Sequence, residues 1–411
     1  MNLLYICNEY PPGKSGGIGS ATKNLATAMA GLGHKVFVAG LYMPGYGRKD
    51  YEETDGVKVW RKRIGMDIGP AKDGDSFAGK IAYSLLKRTG LLSLSYQKGS
   101  ADFFAFIQSL IHDNAIDLVE WPDFNEWFSL VHDVSAIPVI PVPLLVKLHG
   151  NNSYTQHQTG RPFNEKEYAT EKAHILGADA LVAVSKHTAI QYALFYGLAK
   201  EIPVLYNPIL CNLQEPNRAA MRSGIVFAGS LTQFKGVYNL LLAWNHVHQN
   251  YPDCQLRLYG KGRPEKFRHL LTNEAAKTVH FMGHVTQREL QTVFSSAAAA
   301  VFPSFSECFS MTPMETMSCG CPVIYTERSS GPELIENGIN GLLVNPGDPA
   351  AIADAIVRLL SDEVLRETLG NKGRETVNQR FSIQKSAADH LLLYQKLVDQ
   401  YHRNKTALCA G

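Results

Sequence analysis

Apolar runs recur along this chain that are too short for helices and too continuous for half-exposed strands, and each leads into a segment with helical spacing. In the first half they are LLYIC, HKVFVAG, VKVW, IDLVEW, PLLVKLHG, ALVAVS and IPVLY, with amphipathic segments at 20–32, 102–113, 164–177 and 186–197 among the connections. Strands apolar on both faces that alternate with helices belong to a parallel sheet covered on both sides. The pattern stops at NPILCNLQEPNRAAMRSG, which is polar, lacks periodicity and reads as a linker. It resumes with GIVFAGS, CQLRLYG, TVHFMGH, AAAAVFPS, PVIYTE and GLLVN, separated by helices such as 236–249, 287–296 and 349–360. The fold class is therefore α/β, with two doubly wound, Rossmann-like domains near 1–210 and 220–380. A last helix, about 382–405, follows the completed second sheet. Its Leu391, Tyr394 and Leu397 or Val398 share one stripe, suited to packing back on the first domain. Ligands of such sheets bind beyond the strand C-termini, and two facing sheets imply an interdomain cleft.

Length agrees with this division, since 411 residues suit two or three domains at roughly 150 residues each. No apolar run approaches a membrane span, and MNLLYICNEY lacks the basic start and long apolar stretch of a signal peptide, so a cytoplasmic protein is expected. Seven cysteines, an odd number without a Cys-x-x-Cys, argue against a disulfide framework and a zinc site. Cys319 and Cys321 are too close together to clamp a metal, and packed thiols are the better reading. A formal charge of +2 is too small to imply a nucleic-acid partner.

The first strand runs into CNEYPPGKSGGIGSATKNL, residues 7–25, whose glycines and Gly-Lys-Ser invite a phosphate. A Walker A loop would need glycine at Asn8, and Pro11 and Pro12 stiffen the cradle. The dinucleotide fingerprint fails as well, because Thr22 stands where the third glycine should be. What remains is a strand, a loop ending in Gly16, Gly17 and Gly19, and a helix whose N-terminus attracts anions. A tight strand-to-helix turn without a ligand fits the loop about as well.

Segment 76–98, SFAGKIAYSLLKRTGLLSLSYQK, is basic and apolar together, with Phe77, Ile81 and Leu85 at helical spacing. Packing on the first domain's core is the preferred reading over a membrane-surface helix, which stays open. Asp73-Gly-Asp75 lies in a Gly/Pro/Lys-rich loop and reads as a surface turn rather than a metal site.

Two carboxylates mark the second domain. Glu307 follows the strand AAAAVFPS, and Glu315 lies in the next helix. Eight helical residues would separate them by about 12 Å, beyond the roughly 5–9.5 Å over which two carboxyls act on one glycosidic bond. They are better placed to hold different parts of one extended ligand. Thr312-Pro313-Met314-Glu315 also reads as a capping box with proline at the first helical position.

With these residues the chain resembles the retaining GT-B glycosyltransferases of family 4. Glu307 and Glu315 form that family's Glu-x7-Glu arrangement. ECFSMTPMETMSCGCPVI and SSGPELIENGINGLLVNPGDPAAIADAI are similar to its donor-binding half, FAGSLTQFKGVYNLL to its diphosphate-binding strand and loop, and EYPPGKSGGIGSATKNLATAMAGLGHKV to its N-terminal glycine loop. The likeness covers nearly the whole chain and is weakest from about 60 to 110.

The resemblance implies a transfer of a hexose-type sugar from a UDP-sugar or GDP-sugar to a saccharide or lipid-linked acceptor, without a metal. It puts Glu307 on the transferred sugar, and Phe309, Ser310 and Met311 at a helix N-terminus facing sugar or diphosphate. Glu315 would take the ribose hydroxyls, Lys235 the diphosphate and the backbone at Val285 the base. His149 would stand near the reacting centre, and Gly16 and Gly17 would allow close backbone approach. One departure is Ser230, five residues before Lys235, where relatives commonly carry arginine. Serine cannot replace a guanidinium's charge or fork, so Arg263 and Lys261 are candidate substitutes. Cys308, where relatives often carry glycine, is a smaller one. A nucleotide-sugar epimerase, a phosphorylase and a non-catalytic nucleotide-sugar binder are the competing readings, and a peripheral membrane contact stays open.

Overall fold

The computed structural model describes residues 1–12, 16–42, 49–64, 81, 84–86, 88–130, 138–211 and 222–410, with side chains to 406. The chain divides into two compact units, one of Met1–Val184, Thr188–Pro208 and Ser386–Gly411, the other of Ser185–His187 and Ile209–Lys385.

The first unit is built on a seven-stranded sheet of β1 (Asn2–Ile6), β2 (Lys35–Tyr42), β3 (Tyr51–Thr54), β4 (Val57–Arg63), β5 (Leu118–Pro122), β6 (Leu144–Leu148) and β7 (Ala180–Ala183), in the order β3-β4-β2-β1-β5-β6-β7. The pairings are parallel except at the edge, where β3 runs antiparallel to β4. β1, β5 and β6 are buried along almost their whole length, as the continuous apolar runs require. β3, YEET, is half exposed and carries no apolar signal, so sequence pattern does not reveal it. IPVLY forms only an isolated bridge, Ala183 to Val204, rather than a strand. Pro203 supplies no N–H and cannot extend a ladder.

The second unit holds six parallel strands, β8 (Ile225–Ala228), β9 (Leu256–Tyr259), β10 (Val279–Gly283), β11 (Ala299–Phe302), β12 (Val323–Thr326) and β13 (Leu342–Val344), ordered β10-β9-β8-β11-β12-β13. Its core joins Phe227, Leu240, Trp244, Leu256, Val301 and Ile356. Trp244 is fully buried because its indole N–H finds Thr278 Oγ1 at 3.0 Å. Chain direction across this sheet reverses between β8 and β11, and across the first between β1 and β5. Crossovers diverge at such switch points and leave a crevice at the strand C-termini.

The C-terminal helix, Ile383–Ala410, contributes Ala387, Tyr394 and Val398 to the first unit's core, with Leu391 and Leu397 packed partly against it. Polar contacts tie it down further. Tyr394 donates to Glu120 Oε2 on β5 and lies 3.3 Å from the Tyr5 hydroxyl on β1. His390 Nδ1 donates to the Ser386 carbonyl, which leaves Nε2 bare to accept from Lys147 Nζ at 2.9 Å. Burial and the neighbouring Lys147 hold the His390 imidazole well below its usual range, so it accepts as a neutral ring.

Of segment 76–98, residues 76–80, 82, 83 and 87 lie outside the described residues, as do Asp73 and Asp75. Ile81 and Leu85 are 55% and 62% exposed, which corrects the expectation that this stripe packs on the core. The following helix, Leu91–Asp113, buries Leu92, Tyr96, Phe103 and Ile107. Among the described residues no helix is long and apolar enough to cross a membrane.

Replacing Tyr394 with phenylalanine leaves one oxygen of buried Glu120 without its donor. The expected cost is about 1–3 kcal/mol, read by urea unfolding at unchanged m-value. Stability within a few tenths of wild type would contradict the anchoring role of this contact.

Candidate functional site

The switch point of the second unit brings two of the sequence-selected residues together. Lys235 lies in the loop after β8 and Glu307 in the loop after β11, the two strands between which the order reverses. Lys235 Nζ donates to Glu307 Oε1 at 2.6 Å, with the lysine side chain 33% exposed and the glutamate 10%. The same loops are stitched by Phe305 N to Phe234 O at 2.8 Å. Gly236 lets them approach: its φ is +74°, and a Cβ there would stand 1.9 Å from the Pro303 carbonyl oxygen. Ser330 Oγ donates to the Glu307 backbone carbonyl at 3.3 Å and braces the loop from β12. The carboxylate thus holds an ammonium at the place where an α/β sheet binds its ligand, and keeps its second oxygen for another donor.

Beyond Glu307, Phe309 and Met311 are buried and Ser310 precedes the helix Met311–Ser318 in extended conformation. The Ser310 side chain makes no cap at the start of this helix. This corrects the capping-box expectation, since Thr312 lies inside the helix and Pro313 is its third residue rather than its first. Glu315 instead accepts from Gln287 Nε2 at 2.8 Å, and burial raises its carboxyl above the usual range. Glu307 and Glu315 therefore serve different partners. Ser230 is exposed, and Leu231 pairs with the neighbouring loop through its amide to Lys261 O at 2.8 Å and a bridge to Gly262. That pairing brings the backbone of exposed Lys261 and Arg263 alongside the position where an arginine was expected. Val285 is half-buried in the loop after β10.

In the first unit, His149 follows β6. Its backbone begins a run of six consecutive amides, each accepted by a side chain. Asp123 takes His149 N (2.7 Å), Gly150 N (3.2 Å) and Asn151 N (3.1 Å). Glu171 takes Asn152 N (3.0 Å) and Ser153 N (3.2 Å), and Asn151 Oδ1 takes Tyr154 N (3.0 Å). The Tyr192 hydroxyl also donates to Asp123. Asp123 and Glu171 are buried, which pushes their carboxyls up to about 6 and about 7. Burial, then the nearby Lys147, holds the His149 imidazole well below its usual value, so the ring is neutral. Sequence reading missed both carboxylates. Asp123 directly follows the strand LVEWP and was open to the argument that singled out Glu307; Glu171, in mid-helix, carries no comparable signal.

The glycine loop differs from expectation at its anion site. Gly13, Lys14 and Ser15 lie outside the described residues. At the start of the helix Gly17–Gly31, Gly19 N donates to Glu9 Oε1 at 2.9 Å, and a Cβ on Gly16 would stand 2.8 Å from both Glu9 oxygens. The anion at this helix end is the chain's own carboxylate, which repels a phosphate. Gly16 and exposed Gly17 keep a role only as positions of close approach.

Comparison with known proteins bears on the family and the fold. Residues 15–212 match the family described as Glycosyltransferase Family 4, and residues 222–362 match Glycosyl transferases group 1. This chain is a glycosyltransferase of that family. The glycosyltransferase is similar to a glycogen synthase of Mycobacterium tuberculosis, at 24% identity over 96% of this chain and 94% of the relative. Among solved structures it resembles a sucrose-phosphate synthase from Thermosynechococcus elongatus, with TM-score 0.76, 20% identity and 97% and 99% of the two chains covered. An Anabaena protein in complex with UDP-glucose gives TM-score 0.65 at 17% identity over 98% and 100% of the chains. These neighbours establish the GT-B fold, two Rossmann-like domains, for this glycosyltransferase.

Alanine at Gly236 would force a left-handed residue and displace the Pro303 carbonyl. We expect a loss of at least about 1–2 kcal/mol from the backbone conformation alone, read as a lower Tm. An unchanged melting curve would show that the two loops are not locked as described.

Proposed function

We propose that this glycosyltransferase moves a hexose-type sugar from a nucleoside diphosphate sugar, UDP-glucose or a close analogue, to a hydroxyl of a saccharide or lipid-linked saccharide with retention of configuration. The observation that carries the reading is the Lys235–Glu307 pair at the second sheet's switch point. Departure of a nucleoside diphosphate from an anomeric carbon develops charge on the leaving phosphate, so the site must stabilise an anion as it forms. Lys235, partly exposed and held by Glu307, supplies a fixed cation there, and the backbone around Phe309, Ser310 and Met311, at the start of the helix Met311–Ser318, supplies aligned dipoles.

In this reading Glu307 accepts from hydroxyls of the transferred sugar, Glu315 from the ribose, and the Val285 backbone meets the base. Lys261 and Arg263 stand in for the charge that Ser230 lacks. His149, a neutral imidazole, orients the sugar as the first unit's contribution. The acceptor hydroxyl attacks from the face of the departing diphosphate, whose oxygen takes its proton. Cationic side chains account for the stabilisation, so turnover is expected to be independent of divalent metal. The UDP-glucose bound by the Anabaena neighbour favours UDP over GDP as the carrier. An epimerase would isomerise the donor with no acceptor, a phosphorylase would need inorganic phosphate, and a non-catalytic binder would leave every donor intact.

The test follows nucleotide release and sugar identity on UDP-glucose, UDP-galactose, UDP-N-acetylglucosamine and GDP-mannose in the presence of EDTA. Release from one UDP-sugar is expected, with K235A slower by about 10²–10³-fold and folded as wild type. Near-normal turnover by K235A would remove the lysine from the mechanism, and isomerised donor would replace transferase by epimerase chemistry.

A further inference from the structure

Six consecutive amides accepted by side chains are more than loop geometry requires, because strand-end amides are ordinarily left to water or to the next helix. The two carboxylates that take five of them come from different elements. Asp123 follows β5, and Glu171 lies in the helix Glu165–Leu176. Both are held from behind. The Pro122 carbonyl, beside Asp123, accepts from buried His174 Nε2 at 3.2 Å and from Asn125 Nδ2 at 3.0 Å. Glu167 accepts from Asn152 Nδ2 at 2.7 Å, next to Glu171. Burying two carboxylates is unfavourable unless hydrogen-bond donors satisfy them, and here those donors are the amides of the run. The residue whose backbone opens the run is His149.

We infer that Asp123 and Glu171 are positioning residues that fix the His149 backbone, and through it the imidazole, for sugar transfer. The inference rests on the proposed function for its consequence but on the hydrogen-bond run for its geometry. A carboxylate accepts with both oxygens, whereas a protonated carboxyl or an amide turns one of them into a donor. A carboxamide then sets a donor against at least one of these amides and the loop must shift, whereas a protonated carboxyl keeps weaker acceptor capacity and loosens the run. Misplacing a reacting or orienting group by an ångström costs on the order of 10²-fold in rate.

The groups facing this cluster are Glu167, Tyr192, Tyr196, His149 and, behind it, Lys147. Both carboxyls titrate above their ordinary range of about 4, near 6 for Asp123 and near 7 for Glu171. The folded state therefore holds their protons more tightly than the unfolded chain does. Their contribution to stability is largest in acid and declines as pH rises from about 4 to about 7. Turnover should run the other way and fall as pH drops through 7 and 6, because the run of amides needs ionised acceptors. A role in folding alone would not produce these opposed profiles.

The experiment uses the full chain with UDP-glucose and two readouts: UDP release, and the NMR signal of [13Cε1]histidine at His149, assigned by its loss in H149Q. D123N and E171Q are expected to lower kcat by about 10²-fold with little change in KM, and to displace the His149 signal. K235A should lose turnover while leaving that signal in place. Should D123N fail to fold, E171Q and Y192F, which removes the hydroxyl that donates to Asp123 and accepts from Asn151 N at 2.8 Å, carry the test. Wild-type turnover together with an unmoved signal in the folded variants would overturn the inference. If the wild-type protein releases no nucleotide, the proposed function fails, and displacement or constancy of the His149 signal still decides the positioning role.

Discussion

A parallel sheet whose strand order reverses has only one place where successive crossovers diverge, and the principal groups of this glycosyltransferase, Lys235, Glu307 and Asp123, stand on loops at such places. In the second unit the reversal falls between β8 and β11, and the loops leaving those strands bring Lys235 to Glu307. In the first it falls between β1 and β5, whose loops meet where Asn8 Nδ2 donates to Asn125 Oδ1 at 3.2 Å, with Asp123 alongside. The strands themselves are plain apolar runs; their direction and order, imposed by right-handed crossovers, decide which loops become neighbours.

The two units treat charge in opposite ways. The second presents a cation steadied by a carboxylate beside a helix start that the Ser310 side chain does not cap, an arrangement that favours an anion. The first uses its carboxylates inward. Glu9 takes the amide of Gly19 at the start of the first helix, and Asp123 and Glu171 take the amides that follow β6. That division explains why the N-terminal glycine loop, the most phosphate-like stretch in the sequence, is the poorer anion site.

Much of this was legible in the sequence. The double winding and the strands of the second sheet follow from apolar runs bounded by turns, because strands buried on both faces cannot disguise themselves. Glu307 was found because it sits in the loop just beyond a strand, and Lys235 through the family resemblance. β3 was hidden because an edge strand with a solvated face lacks the apolar signal, and IPVLY was overread because its proline was not weighed against its apolar neighbours. The capping box at Thr312 was a good local pattern defeated by tertiary context, in which Gln287 takes the Glu315 side chain. Asp123 was open to the strand-end argument and was passed over, whereas the roles of Glu9 and Glu171 left no signal. A carboxylate that serves amides distant in sequence leaves no spacing to read.

The central claim is that the Lys235–Glu307 pair at the switch point is the diphosphate site, and a crystal structure of the chain with UDP tests it most directly. The account predicts a phosphate oxygen about 3 Å from Lys235 Nζ, with the diphosphate against the amides at the start of the helix Met311–Ser318. A diphosphate seated on the N-terminal glycine loop, with the Lys235–Glu307 contact unchanged and unoccupied by ligand, would contradict it.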